Sequence, residues 1–168
     1  MLCTCSNTAH CKGRQLTISR PLWIDGKQVT DTTGKIEVIA PKTQKTAWHA
    51  AAASKKEAIQ AAESSERAFK SWKKTKPQEI RRILLKAADI LEGRIDELTS
   101  YHVEETGAPD AVSKDINLPT TIEMLRDVAG RLTGITGSIP VTSSGGALVF
   151  KEPMGVILGI APWYVEGF

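Results

Sequence analysis

The chain has 168 residues, 41% apolar and 24% charged, which is enough for one ordinary domain with a core and excludes a disordered composition. No run of 18 apolar residues occurs, so no helix spans a membrane, and the opening "MLCTCSNTAHCKGR" has no apolar stretch of the kind a secretory signal needs. The net charge of +3 comes from Lys12, Arg14 and Arg20; from residue 21 on, the remaining 19 basic residues balance the 19 acidic ones, and no basic stripe recommends nucleic acid.

Residues 1–20 read as a disordered tail, basic and free of acids, with organelle import as the minor alternative. Its cysteines, Cys3, Cys5 and Cys11, stand with His10 in a C-x-C-x4-H-C pattern. Structural zinc sites take ligands from two separated knuckles held by a fold, and no second knuckle is present, so the thiols read as solvated and no metal is expected. Three cysteines also make no paired framework, which with the missing signal places the chain in a reducing, cytoplasmic setting.

"PLWIDGKQVT" reads as a small hairpin turning at Asp25-Gly26, and "KIEVIAPKT" as a second short strand closed by Pro41. Ser54-Lys55-Lys56-Glu57 is a capping box, and Ile59, Ala62, Phe69 and Trp72 fall on one side of the helix it opens. Pro77 opens the next helix, whose apolar positions Ile80, Ile83, Leu84, Ala87, Ile90, Leu91, Ile95 and Leu98 keep the 3.6-residue period. Gly93 bends or splits it, and Gly107 ends it. A third helical region spans about 110–132, kinked or divided by Pro119. "TGITGSIPVTSSGG" reads as loop, and "ALVFKEP" and "GVILGIAP" as two strands. The last strand lacks alternation, the pattern of a central parallel strand buried on both faces.

From about Pro21 to Trp163 the chain resembles the N-terminal third of the NAD(P)-dependent aldehyde dehydrogenase superfamily. The resemblance rests on "LWIDGKQV", on "RRILLKAADILEGRIDELTSYHVEETGAP" with its E-T-G-x-P exit, and on "KEPMGVILGIAPW", which leads into the family's P-W-N motif; it is similar in flavour to fungal enzymes of aromatic or salicyl-type aldehydes. The resemblance implies an α/β fold: part of a coenzyme-binding domain over residues 21–168, with a small hairpin, helices, an oligomerisation β-arm and an incomplete Rossmann-like sheet.

In the family a cysteine thiolate attacks the aldehyde, hydride leaves to the nicotinamide, and a glutamate activates water to release the acid. Tyr164 stands where the oxyanion-binding asparagine of P-W-N belongs, and the segments bearing the nucleophilic cysteine and the glutamate do not occur in this sequence, so no catalytic residue is assigned. His49 and His102 read as surface or capping residues, and Glu104-Glu105 as a solvated face. Gly155 and Gly159 precede no helix and are not a phosphate cradle. The resemblance gives Ile160, Ala161, Pro162 and Trp163 a place along the nicotinamide-ribose, with NAD or NADP as cofactor. Three functions stay open: a truncated relative that is not catalytic alone, a module adding a strand to a full-length homologue through the β-arm, and a fragment of an active enzyme whose remainder is missing. The abrupt end of the resemblance at Tyr164 leads to the expectation of a frameshift, retained intron or early stop.

Overall fold

The computed structural model describes residues 19–30 and 32–161. Leu22–Ile24 (β2) and Lys27–Val29 (β3) form the expected hairpin, with Trp23 opposite Gln28. Both turn residues have positive φ, 57° at Asp25 and 70° at Gly26. A two-residue hairpin loop needs this left-handed pair to follow the strand twist, and Asp-Gly adopts it at little cost.

Ser19–Arg20 (β1), Gly34–Ala40 (β4) and Lys45–Ala52 (β5) make a three-stranded sheet in the order β1-β5-β4. The central strand, β5, runs parallel to β1 and antiparallel to β4, with Val38 opposite Trp48 and a bulge after Val38. Two differences from the sequence reading lie here. Ser19 and Arg20 belong to the sheet rather than to the tail. Strand β5, "KTAWHAAA", has no counterpart in the sequence reading, because its four alanines carry no strand signal of their own. Its partner and a four-residue turn impose it: Gln44 takes φ 55° and its N–H donates to Ala40 O at 2.8 Å.

Lys55–Trp72 (α1) starts at the capping box: the Ser54 hydroxyl accepts from the Lys56 N–H, and the Glu57 carboxylate accepts from the Ser54 N–H at 2.8 Å. Ser64 on α1 donates to the Asp25 carboxylate at 3.1 Å, tying the hairpin turn to this helix. Pro77–Glu92 (α2) and Ile95–Thr106 (α3) are separate helices, so Gly93 splits rather than bends. Gly107 caps α3 with φ 72°. A π-helical turn, Val112–Asn117, runs without a break into Leu118–Arg131 (α4), and Pro119 follows it directly, so the ring, which donates no N–H, sits where the helix widens and does not divide it.

The buried apolar side chains fall in two places. Val38, Ala40, Trp48 and Ala51 lie in the sheet; Ala88 of α2 and Ile122 and Ala129 of α4 lie between the helices. Ala88 and Ala129 have no exposed surface, and such small side chains let two helices approach closely. Arg126 of α4 spans the same pair, reaching Glu92 at 2.6 Å and Asp89 at 3.4 Å on α2. By contrast the expected core face of α1 is half bare, with Ile59 and Trp72 each 47% exposed.

The two strands expected after residue 146 do not form. Residues 147–161 hold one isolated bridge, Ser138 to Val149, and the short hairpin of Val141–Thr142 (β6) and Gly145–Gly146 (β7) lies in the stretch read as loop. A strand exists only where a neighbour takes its N–H and C=O groups, and no described residue pairs with 155–161. The fold is therefore mixed helix and strand with small, incomplete sheets.

Candidate functional site

The residues expected along the cofactor are bare. Ile160 is 87% exposed and Ala161 is exposed as well; Pro162 and Trp163 lie outside the described residues. No strand or helix is present over 155–161, so the described part of this segment offers neither a sheet edge nor a helix N-terminus to a pyrophosphate. Cys3, Cys5, His10, Cys11 and Tyr164 also lie outside the described residues. Among the described residues no group of three or more His, Cys, Asp or Glu is placed to hold a metal.

His102 is a correction. It is buried on α3, and its Nδ1 lies 2.7 Å from the Ser113 hydroxyl on the π-turn. A serine beside a histidine is the start of a nucleophile–base pair. Ser113 has no exposed surface, however, so no substrate reaches it, and the pair joins α3 to the π-turn. Nothing in the sequence pairs positions 102 and 113, because a left-handed glycine and a proline separate them. His49 is half-buried on β5, opposite Glu37 and Ser19. Of the pair read as a solvated face, Glu104 is exposed and Glu105 is half-buried.

A feature missed from sequence is a cation box. The Arg20 guanidinium lies 4.7 Å from the Trp48 ring centroid and 4.6 Å from that of Tyr101. The two rings meet edge to face at 88°. This contact fastens the two-residue strand β1 to β5 and α3.

Two open clefts lie among the described residues. One, about 480 Å³, lies between the β4–β5 turn and α3, lined by Lys42, Thr43, Ser100, Glu104 and Asp110. Its Asp96 and Lys114 pair at 2.6 Å, which raises the lysine above its ordinary range. The other, about 580 Å³, lies between the α1–α2 turn and the chain beyond α4. Trp72, Ile80, Leu132, Ile135 and Phe150 form its apolar walls, and Lys73, Lys151 and Glu152 lie on its rim.

The model of the aldehyde dehydrogenase family matches residues 28–165. Vanillin dehydrogenase of a Pseudomonas strain is 36% identical over 146 residues, 85% of this chain and 30% of that protein. Salicylaldehyde dehydrogenase of Pseudomonas putida is 33% identical over 143 residues, 84% of this chain and 29% of that protein. The solved salicylaldehyde dehydrogenase of Pseudomonas putida, complexed with salicylaldehyde, superposes with TM-score 0.70 at 29% identity over 75% of this chain and 26% of its own. PnpE in complex with nicotinamide adenine dinucleotide superposes with TM-score 0.70 at 32% identity, over 75% of this chain and 26% of its own. An apo indole-3-acetaldehyde dehydrogenase reaches TM-score 0.81 at 24% identity, a likeness of fold alone. The chain thus spans about 30% of the length of the curated relatives it matches.

Proposed function

The chain belongs to the aldehyde dehydrogenase family, and from that premise we propose that it is a segment of an NAD(P)-dependent aldehyde oxidoreductase that does not catalyse alone. The observation that carries this reading is the row Val156, Ile157, Leu158 and Ile160, exposed at 51%, 73%, 84% and 87%. Four consecutive-patch apolar side chains of a both-faces-buried type have no cover among the described residues, and their backbone has no pairing. When such a sheet is completed, Ile160, Ala161, Pro162 and Trp163 would line the nicotinamide-ribose, and the cofactor would supply hydride acceptance. The proposed substrates are aromatic aldehydes, supported by the salicylaldehyde and vanillin dehydrogenases among the relatives. No described helix is long and apolar enough to cross a membrane; a cytoplasmic setting is part of the proposal, supported by the unpaired cysteine count.

The test is NAD and NADP reduction by the purified chain with benzaldehyde, salicylaldehyde and acetaldehyde. No turnover is expected: the loss of a single oxyanion donor costs about 10² to 10³ in rate, and the covalent path needs a nucleophile besides. Calorimetry should give NAD binding weaker than about 1 mM, since the main pyrophosphate anchor, a helix N-terminus, is not beside these residues. Turnover surviving Cys3, Cys5 and Cys11→Ser together overturns the reading.

A second reading is favoured by the exposed Ile139, Val141, Leu148 and Phe150, at 69%, 82%, 66% and 77%. These would suit strand addition to a full-length homologue through the arm. Co-purification of the two chains, lost on Val141→Lys, supports it. The DNA beyond codon 163, translated in all forward frames, tests the remaining option that an active enzyme continues there.

A further inference from the structure

The larger cleft holds chemistry that the dehydrogenase reading does not use. Its walls come from four places along the chain: Trp72 at the end of α1, Ile80 on α2, Leu132 and Ile135 after α4, and Phe150 beyond the β6–β7 hairpin. Trp72 is 47% exposed and Phe150 is 77% exposed, so two aromatic side chains offer uncovered surface beside one cavity. Its volume of about 580 Å³ falls in the ordinary range for small-molecule sites, roughly 300–1,000 Å³.

The rim carries charge of one net sign. Lys73 and Lys151 supply two ammonium groups and Glu152 one carboxylate. The Lys73 ammonium is 5.6 Å from the ring centroid of Phe69, one turn back on α1 and outside the cleft lining, a contact that a ligand carboxylate would share or replace. No ion pair among the described residues engages either lysine.

These features select a ligand chemistry by elimination. A neutral arene covers the rings and leaves the ammonium groups unmatched. A short aliphatic acid meets the ammonium groups and leaves the rings in water. A phosphate dianion brings a second negative charge toward Glu152. A flat ring bearing one carboxylate satisfies the walls and the rim together, with stacking on the aromatic surface and charge-assisted hydrogen bonds at the lysines. We propose that this cleft is a binding site for an aromatic monocarboxylate. The proposal is independent of catalysis by the chain.

Benzoate is the probe, titrated into the full chain with two-dimensional NMR of the backbone amides and the Trp72 indole N–H, assigned with Trp72→Phe. Saturable shifts are expected at Trp72, Lys73, Ile135 and Lys151, with a Kd of about 1–10 mM, in keeping with so small a ligand. Benzyl alcohol and acetate should each bind about fivefold more weakly or worse. The double variant Lys73→Gln and Lys151→Gln should lose about fivefold, and Glu152→Gln should tighten benzoate about twofold by removing the like charge. A gain in Glu152→Gln cannot be produced by a folding defect. Shifts that do not saturate, equal affinity for benzyl alcohol, a shift map centred elsewhere, or unchanged benzoate affinity in both rim variants would each overturn the proposal.

Discussion

Replacing Trp48 by alanine should dismantle the β1-β5-β4 sheet and leave the α2–α4 pair standing. Trp48 lies on the central strand and is only 4% exposed, so almost the whole indole is removed from water. About 200 Å² at ~25 cal/mol per Å² amounts to ~5 kcal/mol, an upper bound because the unfolded chain already hides part of that area. Two contacts add to it: the Arg20 guanidinium at 4.7 Å, worth ~0.5–1 kcal/mol, and the edge-to-face Tyr101 ring at 6.1 Å, worth ~0.5–1.5 kcal/mol. Measured costs for aromatic-to-alanine changes, ~3–5 kcal/mol, set the expected loss. Trp48→Phe keeps a ring beside Arg20 and should lose distinctly less. Urea unfolding followed by far-UV circular dichroism measures the loss, and native-state hydrogen exchange locates it. Amides of β4 and β5 should lose protection, while those around Ala88 and Ala129 keep theirs, because the two buried clusters share no side chain. A loss under ~1 kcal/mol refutes the burial argument. Equal loss of protection in α2 and α4 refutes the division into two clusters.

Two further outcomes follow from the geometry. The Arg126 guanidinium donates to Glu92 and Glu123 at 2.6 and 3.0 Å, and the hydrogen bond from Arg126 holds the Glu92 carboxyl below its ordinary value. A carboxyl whose pKa is lower folded than unfolded contributes stability above its unfolded value, about 4.3, and that contribution is lost as pH falls through the folded value. Melting temperature against pH should therefore drop more steeply below about pH 4.5 in the parent chain than in Arg126→Gln; parallel profiles would show that the tether contributes nothing. At Gly137 an added Cβ would lie 2.4 Å from Val149 O, so Gly137→Ala must push apart the Ser138–Val149 bridge, whose bonds measure 2.9 and 3.1 Å. Exchange of the Ser138 and Val149 amides should speed up at least about tenfold with the helices unchanged, and unchanged exchange at both would refute the close approach.

Local signals were legible where local chemistry decides the outcome. The Asp25-Gly26 turn, the Ser54 cap, the Gly93 split and the Gly107 terminus all follow from backbone preference and short-range hydrogen bonds. Strand β5 was not legible, because its alanines acquire a strand conformation only from β4 alongside. The His102–Ser113 pair and the Arg20 box were not legible either, since each joins residues whose separation is set by intervening turns.

The strands expected after residue 146 separate composition from structure. "GVILGIA" has the apolar run of a central strand, and over residues 155–161 it adopts none of the pairing. Apolar composition states what a segment requires, namely two covered faces and two hydrogen-bonded edges. Whether it obtains them depends on neighbours supplied elsewhere. The α2–α4 pair meets its requirement within the described residues, through Ala88, Ile122 and Ala129. The 155–161 segment does not, and Ile160 beside the proposed cofactor position remains 87% exposed. The segment that carries the proposed cofactor position is thus one whose faces and edges are left unmet by the described residues, and the function proposed for it requires a second surface.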